Sequence, residues 1–364
     1  MIKQIVIAST LKPVDDVRSY LKIAQSIAKT NKYEVNIIGN EGKKGNEYSG
    51  ITFHPHKLRS TQWLRRIWIC WKLFFKILRL KPHLLIITTY ELIPTALLIK
   101  CFSGSKIIYD VQENHVANLQ LRNKVIQLFA HPIRLVEWVG SLFIDAYWLA
   151  ESCYQHELKL SPKKFKIVEN KALDIGTLPS RKQQPIRALF SGTISEYAGA
   201  IPAIEIMILL DRMLDHFEGI MIGQIHNDTL LHHLKTKVGS NSNIQLITSK
   251  DPVPYDAILS EIKQANLGII SYQPNTVNKD KIPTKLYEYS RYQLPYLVQA
   301  QTKWAKIGEA LGGAISIDFN QPDLDEIIPE IRKTIESPRK SYPKEATWEY
   351  EEDKVIGTIN HLID

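Results

Sequence analysis

The sequence predicts an α/β protein with two doubly wound parallel-sheet domains. The chain has 364 residues, more than the usual ~100–200 of one domain. Short apolar runs, typical of parallel strands buried on both faces, alternate along it with stretches of helical periodicity. The alternation stops once, near the middle, and then starts again. Both halves are therefore expected to share one Rossmann-like architecture.

The first domain is predicted to span residues 1–170. Its first strand, Ile5–Ser9, precedes a helical stretch with Asp15 or Asp16 as N-cap, and the strand Tyr33–Asn40 completes a βαβ unit. Four further apolar runs, which helical stretches separate, predict the remaining buried strands: His83–Thr89, Lys106–Asp110, Asp145–Ala150 and Phe165–Asn170.

Residues 171–186 are predicted to form a linker, because they lack periodicity and carry two prolines beside several charges. The second domain is predicted over residues 187–341, where the strands RALFSG, EGIMIG, IQLIT and LGIISY alternate with helices. Residues 342–364 are predicted to form a final helix that is apolar on one face and acidic at its start.

The composition is that of a soluble globular protein, with 44% hydrophobic and 23% charged residues. Cys70, Cys101 and Cys153 show no metal-ligand spacing, which favours free thiols in a reducing compartment. The N-terminus lacks the features of a signal peptide, and no apolar run reaches the ~20 residues that span a bilayer. We therefore expect a cytoplasmic protein whose membrane contact is at most peripheral.

Positive charge is concentrated in one segment, since the net charge is +8 and no acidic residue lies between Glu47 and Glu91. On a helical wheel, WLRRIWICWKLFFKILRL places its cations in or beside one sector and its Trp, Phe, Ile and Leu residues opposite. The cations are Arg65, Arg66, Lys72, Lys76 and Arg79. Such a helix can lie on an anionic membrane such as the inner face of the cell membrane; the alternative is a sheet-covering helix with a solvated cationic face. A local basic excess does not favour a nucleic-acid partner.

The stretch KIPTKLYEYS (Lys281–Ser290) opens a helix after the predicted strand ANLGIISY. Open α/β sheets bind phosphorylated ligands at such strand-to-helix turns, because unpaired amides and the positive helix end face the crevice. Thr284 and Glu288 are four residues apart, so both side chains lie on one helix face and can reach one ligand. The structural alternatives are a solvated Glu288 and an ordinary surface lysine at Lys285.

Several segments, in this order, resemble GT-B fold glycosyltransferases, specifically those of glycosyltransferase family 4. ASTLKPVDDVRSYLKIAQSIAK resembles a branch of this family that has an Asp-x-Arg after the first strand, here Asp16 and Arg18. The segment that ends in DVQEN resembles a family segment that closes with Asp-x-x-Glu, here Asp110 and Glu113. FSGTISEYAG is similar to the glycine turn that opens the donor domain, KIPTKLYEY to the start of the donor-binding helix, and TWEYEEDKVIGTI to the closing helix. The similarity spans nearly the whole chain, and its specificity lies in the order of the segments.

The resemblance implies two Rossmann-like domains facing a cleft, with the C-terminal helix crossing back to the first domain. It implies a hexosyltransferase-type enzyme that moves a sugar from a nucleotide-sugar donor to an acceptor hydroxyl with retention of configuration, without metal or cofactor. The acceptor is expected to be a glycan or a lipid-linked sugar, in cell-surface polysaccharide or glycolipid assembly.

The resemblance also implies roles for single residues. Glu288 would bind the ribose hydroxyls and Lys285 would stabilise the departing nucleotide, which makes these two the candidate catalytic residues. The donor site is expected to comprise Gly192, Thr193, Asp280, Thr284, Lys285, Glu288 and Arg291. The acceptor side is expected to comprise Ser9, Thr10, Asp16, Arg18, Asp110, Glu113 and His115. For Asp16 and Arg18 the structural alternative is a helix cap and a surface or sheet-edge ion pair; for Asp110 and Glu113 it is the shaping of a loop.

The sequence departs from the family pattern at several positions. Thr193 and Ala198 stand where the family often has an Arg and a Lys that grip the diphosphate, Asp280 where it has a paired acid, and Gln112 where it often has a His. Diphosphate binding is then expected to rest on Lys285, Arg291 or backbone amides. Two alternatives stay open: a nucleotide-sugar epimerase of the same fold, which needs acid and base groups in the cleft, and a degenerate transferase that binds a nucleotide-sugar or a glycan without turnover.

Overall fold

The computed structural model describes residues 2–42, 48–57, 63–116, 130–174, 176, 184–275, 278–337 and 341–364, with the backbone alone for 63–67. The chain divides into two compact units, of which the first comprises Met1–Asn170 with Glu351–Asp364 and the second comprises Lys171–Tyr350. Each unit holds one parallel sheet covered by helices, which confirms the predicted α/β class.

The first unit is built on a seven-stranded parallel sheet with the order β3-β2-β1-β4-β5-β6-β7. Its strands are β1 Lys3–Pro13, β2 Tyr33–Asn40, β3 Ile51–His56, β4 Leu84–Ile87, β5 Lys106–Val111, β6 Ala146–Leu149 and β7 Phe165–Ile167. The strand order reverses direction between β1 and β4. Because ligands of doubly wound sheets bind at this switch point, the carboxyl ends of β1 and β4 are the expected binding edge.

The first helix, α1, is π-helical over Val17–Ala24 and α-helical over Gln25–Lys29. Asp16 is its N-cap and accepts from the backbone N–H groups of Arg18 and Ser19, as predicted for this position. The next helices are α2 Trp63–Leu80, α3 Ile93–Ser103, α4 Ala130–Phe143 and the short α5 Tyr154–Glu157. α2, α3 and Val136 of α4 share one hydrophobic core with the sheet, in which Phe74, Ile99 and Tyr109 are buried.

The second unit is built on a six-stranded parallel sheet with the order β10-β9-β8-β11-β12-β13. Its strands are β8 Ile186–Thr193, β9 Phe217–Gln224, β10 Ile244–Ser249, β11 Leu267–Ile270, β12 Tyr296–Gln299 and β13 Ala314–Ile317. Its helices are α6 Ala200–Met213, α7 Asp228–Val238, α8 Tyr255–Gln264, α9 Thr284–Arg291, α10 Lys303–Leu311 and α11 Leu324–Glu336. The switch point lies between β8 and β11, so the carboxyl ends of these strands form the expected binding edge.

The final helix, α12 Glu349–Ile363, belongs from Glu351 onwards to the first unit. Glu352 on it accepts a 2.7 Å hydrogen bond from the Ser26 hydroxyl. Within the predicted linker, Ala172 forms a parallel bridge with Thr347 and belongs to the second unit. Residues 175 and 177–183 of that predicted linker lie outside the described residues.

Candidate active site

Two glycines face each other at the carboxyl end of β8. Gly192 has a φ of 118°, in the region that favours glycine, and is paired with Gly223 of β9. A Cβ atom on Gly223 would lie 1.6 Å from the carbonyl oxygen of Gly192, so the two backbones approach too closely for a side chain. Thr193 follows and is exposed. The strand therefore ends in bare backbone, which a ligand can approach closely.

The turn after β8 is held against the end of β11. Gly199 has a φ of 78°, and a Cβ atom there would lie 1.9 Å from the carbonyl oxygen of Ser271. The Ser271 hydroxyl donates a 2.7 Å hydrogen bond to the Gly199 carbonyl. Ala198 is buried within this turn. Thr193 and Ala198 therefore add no positive charge to the site.

Helix α9 begins beside this edge of the sheet. Its N-cap, Pro283, provides no side-chain hydrogen bond to the first turn, and the first amides of a helix lack intrahelical acceptors. The preceding loop is held by the buried Trp304, whose Nε1 donates a 2.6 Å hydrogen bond to the carbonyl of Lys281. The half-buried Thr284 is the first residue of the helix. Such a helix start attracts anions.

Lys285 and Glu288 form an ion pair on the first turn of α9, where their side chains are 14% and 11% exposed. The Cε atom of Lys285 lies 3.6 Å from the point that a Cβ atom on Gly192 would occupy. The structure thus brings together three residues that are predicted for donor binding. Gly192 contributes backbone without a side chain, Lys285 an ammonium group and Glu288 a carboxylate.

Tyrosines surround the carboxylate of Glu288. Burial, and after it the neighbouring Tyr197 and the charge of Glu288, together raise the pKa of Tyr272 to about 12. Burial and Glu288 also raise the pKa of Tyr255, and the hydroxyl of Tyr289 lies 3.1 Å from that of Ser191. These neighbours were not predicted, although the aromatic run in TKLYEYSRY signals a buried helix face.

Arg291 lies apart from this group. Arg291, at the far end of α9, is 1% exposed; it pairs with Asp174, donates a 3.1 Å hydrogen bond to the Gly176 carbonyl and stacks on Tyr342. Burial acts to raise the pKa of Asp174, but the Gly176 N–H and Arg291 outweigh it and lower that pKa. Asp280 is exposed in the turn before α9. The structure therefore does not bring Arg291, which was predicted for donor binding, to the Lys285 end of the helix.

A polar cluster occupies the binding edge of the first unit, between β1 and β4. The Thr10 hydroxyl donates a 2.7 Å hydrogen bond to Glu91 and lies 3.2 Å from the hydroxyl of Thr89. His56 Nε2 lies 3.2 Å from the Thr10 carbonyl oxygen. Glu91 and His56 were not predicted, although Glu91 lies two residues after the end of a predicted strand. The cluster offers a carboxylate and an imidazole to a ligand at this edge.

The other predicted acceptor-side residues are distributed around this cluster. Ser9 precedes Thr10 on β1, and its hydroxyl accepts a 3.0 Å hydrogen bond from the Lys12 N–H. The ring of the half-buried His115 lies 4.9 Å from that of Tyr90, next to Glu91 in the chain. Glu113 is exposed.

Arg18 and Asp110 form a buried ion pair rather than a surface or sheet-edge one. Arg18 Nη2 donates to Asp110 Oδ1 at 2.7 Å and to the Val168 carbonyl at 2.9 Å, and Arg18 Nε donates to Asp110 Oδ2 at 2.9 Å. Gln112, in the position where the family often has His, donates a 2.8 Å hydrogen bond to Asp110. Burial acts to lower the pKa of Arg18, but Asp110 outweighs it and raises that pKa. The pair ties β5 to α1 and to the end of β7.

The predicted membrane-facing cations of α2 differ in how far they are exposed. Lys72 and Arg79 are exposed, and the Lys72 ammonium lies 3.5 Å from the ring centre of Trp68. Lys76 is half-buried, and its charge adds to the burial that lowers the pKa of His54 and His56 on β3. The side chains of Arg65 and Arg66 lie outside the described residues.

The apolar side of α2 also differs from the prediction. Trp68, Trp71 and Phe75 are 58%, 56% and 47% exposed, so the expectation that the apolar residues all face away from the cations is wrong for these three. The sheet side of the helix is already filled by Leu73, Ile77 and their neighbours, and the remaining aromatic side chains therefore lie outside.

None of the helices that the structure describes is long and apolar enough to cross a bilayer. Within the same residues, no group of three or more His, Cys, Asp or Glu side chains is arranged to hold a metal ion. The three cysteines are free thiols.

No protein-family model and no curated protein sequence matches this chain. Among solved structures, the chain is similar to sucrose-phosphate synthase from Thermosynechococcus elongatus, with a TM-score of 0.71, 9% identity and 99% of both chains covered. It is similar to WaaG, a glycosyltransferase involved in lipopolysaccharide biosynthesis, with a TM-score of 0.67, 14% identity, and 97% of this chain and 100% of that chain covered. It is also similar to Anabaena HepE in complex with UDP and glucose, with a TM-score of 0.64, 11% identity, and 99% of this chain and 100% of that chain covered.

A putative UDP-N-acetylglucosamine 2-epimerase from Listeria monocytogenes has the same fold, with a TM-score of 0.62, 12% identity, and 98% of this chain and 95% of that chain covered. At such identities the similarity establishes architecture and not activity. Because the matches extend over nearly the whole of both chains, the fold is that of the GT-B glycosyltransferases, as the sequence predicted.

Proposed function

We propose that this protein is a glycosyltransferase that moves a sugar from a nucleotide diphosphate sugar to an acceptor hydroxyl. The observation that carries the proposal is the meeting of Lys285, Glu288 and Gly192 at the start of α9. An ammonium group pairs with a diphosphate, and an ionised carboxylate accepts hydrogen bonds from both hydroxyls of a ribose. The bare glycine backbone lets the ligand come close to the sheet.

The ion pair between Lys285 and Glu288 suits both tasks. The ion pair holds the ammonium group of Lys285 and the carboxylate of Glu288 side by side, so one ligand can contact both. When the bond to the sugar breaks, negative charge grows on the leaving nucleotide. A cation fixed beside it lowers the barrier by ~3–4 kcal/mol, the contribution typical of one preorganised group. We assign this role to Lys285.

We assign the recognition of the acceptor to the polar cluster around Thr10 in the first unit. Glu91 and His56 offer hydrogen-bond partners to a sugar hydroxyl, and Thr10 holds the Glu91 carboxylate in place. The reaction is proposed to retain the configuration of the sugar and to need no metal, as the family resemblance implies.

We further propose that the acceptor is a glycan or a lipid-linked sugar used in cell-surface polysaccharide or glycolipid assembly. The protein would then act in the cytoplasm, at the inner face of the cell membrane. The exposed Lys72 and Arg79 on α2 support a contact with anionic lipid, since each cation near such a surface contributes ~1 kcal/mol. WaaG, one of the similar structures, is involved in lipopolysaccharide biosynthesis.

Two other functions are tested in the same experiment. The fold similarity to a 2-epimerase supports an epimerase, and the uncharged Thr193 and Ala198 support a protein that binds without turnover. The full chain is first screened by thermal shift against nucleotides and nucleotide-sugars, because a ligand at ~100 times its Kd stabilises by ~2.7 kcal/mol. The best donor is then incubated with and without a panel of glycan acceptors.

A transferase releases nucleotide and forms a glycoside only when an acceptor is present. An epimerase converts the donor without an acceptor, and a binding protein raises the melting temperature without any product. Absence of both binding and turnover across the panel would contradict all three functions.

A further inference from the structure

The outer faces of α2, α3 and α4 carry an exposed apolar surface that glycosyl transfer does not use. Fifteen large hydrophobic side chains are exposed among the described residues, and nine of them lie on these three helices. Three of the nine are leucines and six are aromatic. We call these six the aromatic surface: Trp68, Trp71, Phe75, Phe102, Trp138 and Phe143.

The three helices form one continuous layer on one side of the first sheet. α2 contacts α3 through Phe74 and Phe102, whose ring centres lie 6.0 Å apart. α3 contacts α4 where Gly140 lies against Ile93, since a Cβ atom on that glycine would be 2.9 Å from Ile93 Cγ2. Lys100 on α3 also donates a 2.7 Å hydrogen bond to the carbonyl of Phe143. The six side chains of the aromatic surface therefore lie on one layer of adjoining helices.

The charges beside the aromatic surface are mostly positive. α2 and α3 contain no acidic residue, and Lys72 and Arg79 are exposed on α2. The single acidic residue of α4 is the half-buried Glu137, where burial raises the pKa to about 7. Arg134, one turn before it, is exposed. A partner for this surface must combine an apolar interior with a negatively charged boundary.

We infer that the aromatic surface docks the first unit on an anionic lipid bilayer, with its Trp and Phe side chains entering the headgroup region. Exposed apolar patches of this kind mark protein or membrane contacts, and Trp is enriched at the interface between lipid and water. A second copy of the chain would bring the cations of one α2 against those of the other, or against the exposed Arg134. A bilayer with anionic headgroups meets both the apolar and the charge requirement.

This docking differs from the adsorption of α2 through its cations alone. Adsorption by cations is lost when salt shortens the range of electrostatics, whereas insertion of aromatic side chains is not. It also gives α3 and α4 a part in binding, although their exposed faces are apolar rather than basic. Phe102 and Trp138 lie on these two helices and are 70% and 61% exposed, so substitutions there separate the two modes of binding.

The test is flotation of the full chain with vesicles of phosphatidylcholine containing about one third phosphatidylglycerol, in salt from about 0.1 M to about 1 M, where the Debye length falls from ~10 to ~3 Å. The variants are Phe102→Ser with Trp138→Ser, and, as a matched control, Met213→Ser with Ile247→Ser in the second unit, which are 51% and 40% exposed. Circular dichroism and thermal unfolding establish that each variant is folded.

We expect binding that persists in part at high salt, a loss of about tenfold or more in the Phe102/Trp138 variant, and no change in the control. Wild-type affinity in a folded Phe102/Trp138 variant would overturn the inference, as would the absence of binding by the wild-type chain. A concentration-dependent dimer that the same variant abolishes would overturn it in favour of a second copy.

Discussion

Replacing Arg18 by methionine tests the buried ion pair that connects α1, β5 and β7 in the first unit. The side chains of Arg18 and Asp110 are 4% and 0% exposed, and Arg18 donates to Asp110 and to the Val168 carbonyl. Methionine keeps most of the side-chain length but leaves the Asp110 carboxylate buried without its cation. Breaking a buried pair in this way costs ~3–5 kcal/mol.

The assay is thermal unfolding followed by calorimetry. For a unit of this size, a change of 1 kcal/mol shifts the Tm by ~2–4 °C, so Arg18→Met is expected to lower the Tm of the first unit by ~6–20 °C. The control is Lys29→Met, because the Lys29 side chain is 51% exposed in its ion pair with Glu352. An exposed pair of this kind contributes ~0–1 kcal/mol.

A double variant separates the missing cation from a general packing defect. Arg18→Met with Asp110→Leu removes both charges, and replacing a buried pair by apolar side chains of similar volume is often neutral. The double variant should therefore recover most of the stability lost in Arg18→Met. A loss of less than ~1 kcal/mol in Arg18→Met itself would refute the reasoning, because the Asp110 carboxylate would then tolerate burial without its partner.

Three further predictions concern other parts of the chain. Burial raises the pKa of Glu137 to about 7 from its ordinary 4.5, so the folded state binds this proton more tightly and stability falls as pH rises between these values. Glu137→Gln should remove that slope and stabilise by ~1–3 kcal/mol at about pH 8, measured by urea unfolding at several pH values; an unchanged slope would contradict it. Gly199→Ala should destabilise by more than ~2 kcal/mol, because its Cβ would meet the Ser271 carbonyl at 1.9 Å. Gly104→Ala is the control, because Gly104 also has a left-handed φ of 70° but nothing lies within 4 Å of the added Cβ; it should cost only the ~1–2 kcal/mol of a left-handed residue. If chemical denaturation gave the two variants equal losses of unfolding free energy, the steric argument for Gly199 would be wrong. Glu91→Gln should lower kcat/KM for the acceptor while the donor Kd stays the same; a weaker donor Kd would place Glu91 in the donor site instead.

The buried strands could be predicted from the sequence because they are apolar on both faces. The predicted strand Tyr33–Asn40 has the same bounds as β2, and the predicted Lys106–Asp110 differs from β5 by one residue. β3, β12 and β13 were not predicted. β3 lies at the edge of its sheet, has no fully buried residue and contains Pro55, which an edge strand tolerates. β12 (YLVQ) and β13 (AISI) each contain a polar residue within four positions, so neither forms an unbroken apolar run.

The candidate site was predictable only where its residues are neighbours in sequence. Lys285 and Glu288 lie on one helix turn, and the strand-to-helix pattern points to them directly. The pairing of Arg18 with Asp110 joins residues 92 positions apart, and the contact of Thr10 with Glu91 joins residues 81 positions apart. Such pairs depend on which strands the fold places side by side, and a single sequence does not specify this.

Calorimetric titration of Glu288→Ala and Lys285→Met tests the donor site most directly. Each variant is titrated with the nucleoside and with the nucleoside diphosphate of the base that the thermal-shift screen selects, and Lys279→Met, an exposed lysine before α9, is the control. If Glu288 holds the ribose, Glu288→Ala weakens both ligands by at least about tenfold, since a hydrogen bond to a charged group is worth ~1.5–3 kcal/mol. Lys285→Met weakens the diphosphate alone, and Lys279→Met changes neither. Unchanged affinity of a folded Glu288→Ala protein for the nucleoside diphosphate would contradict the account, because the start of α9 would then not bind the donor.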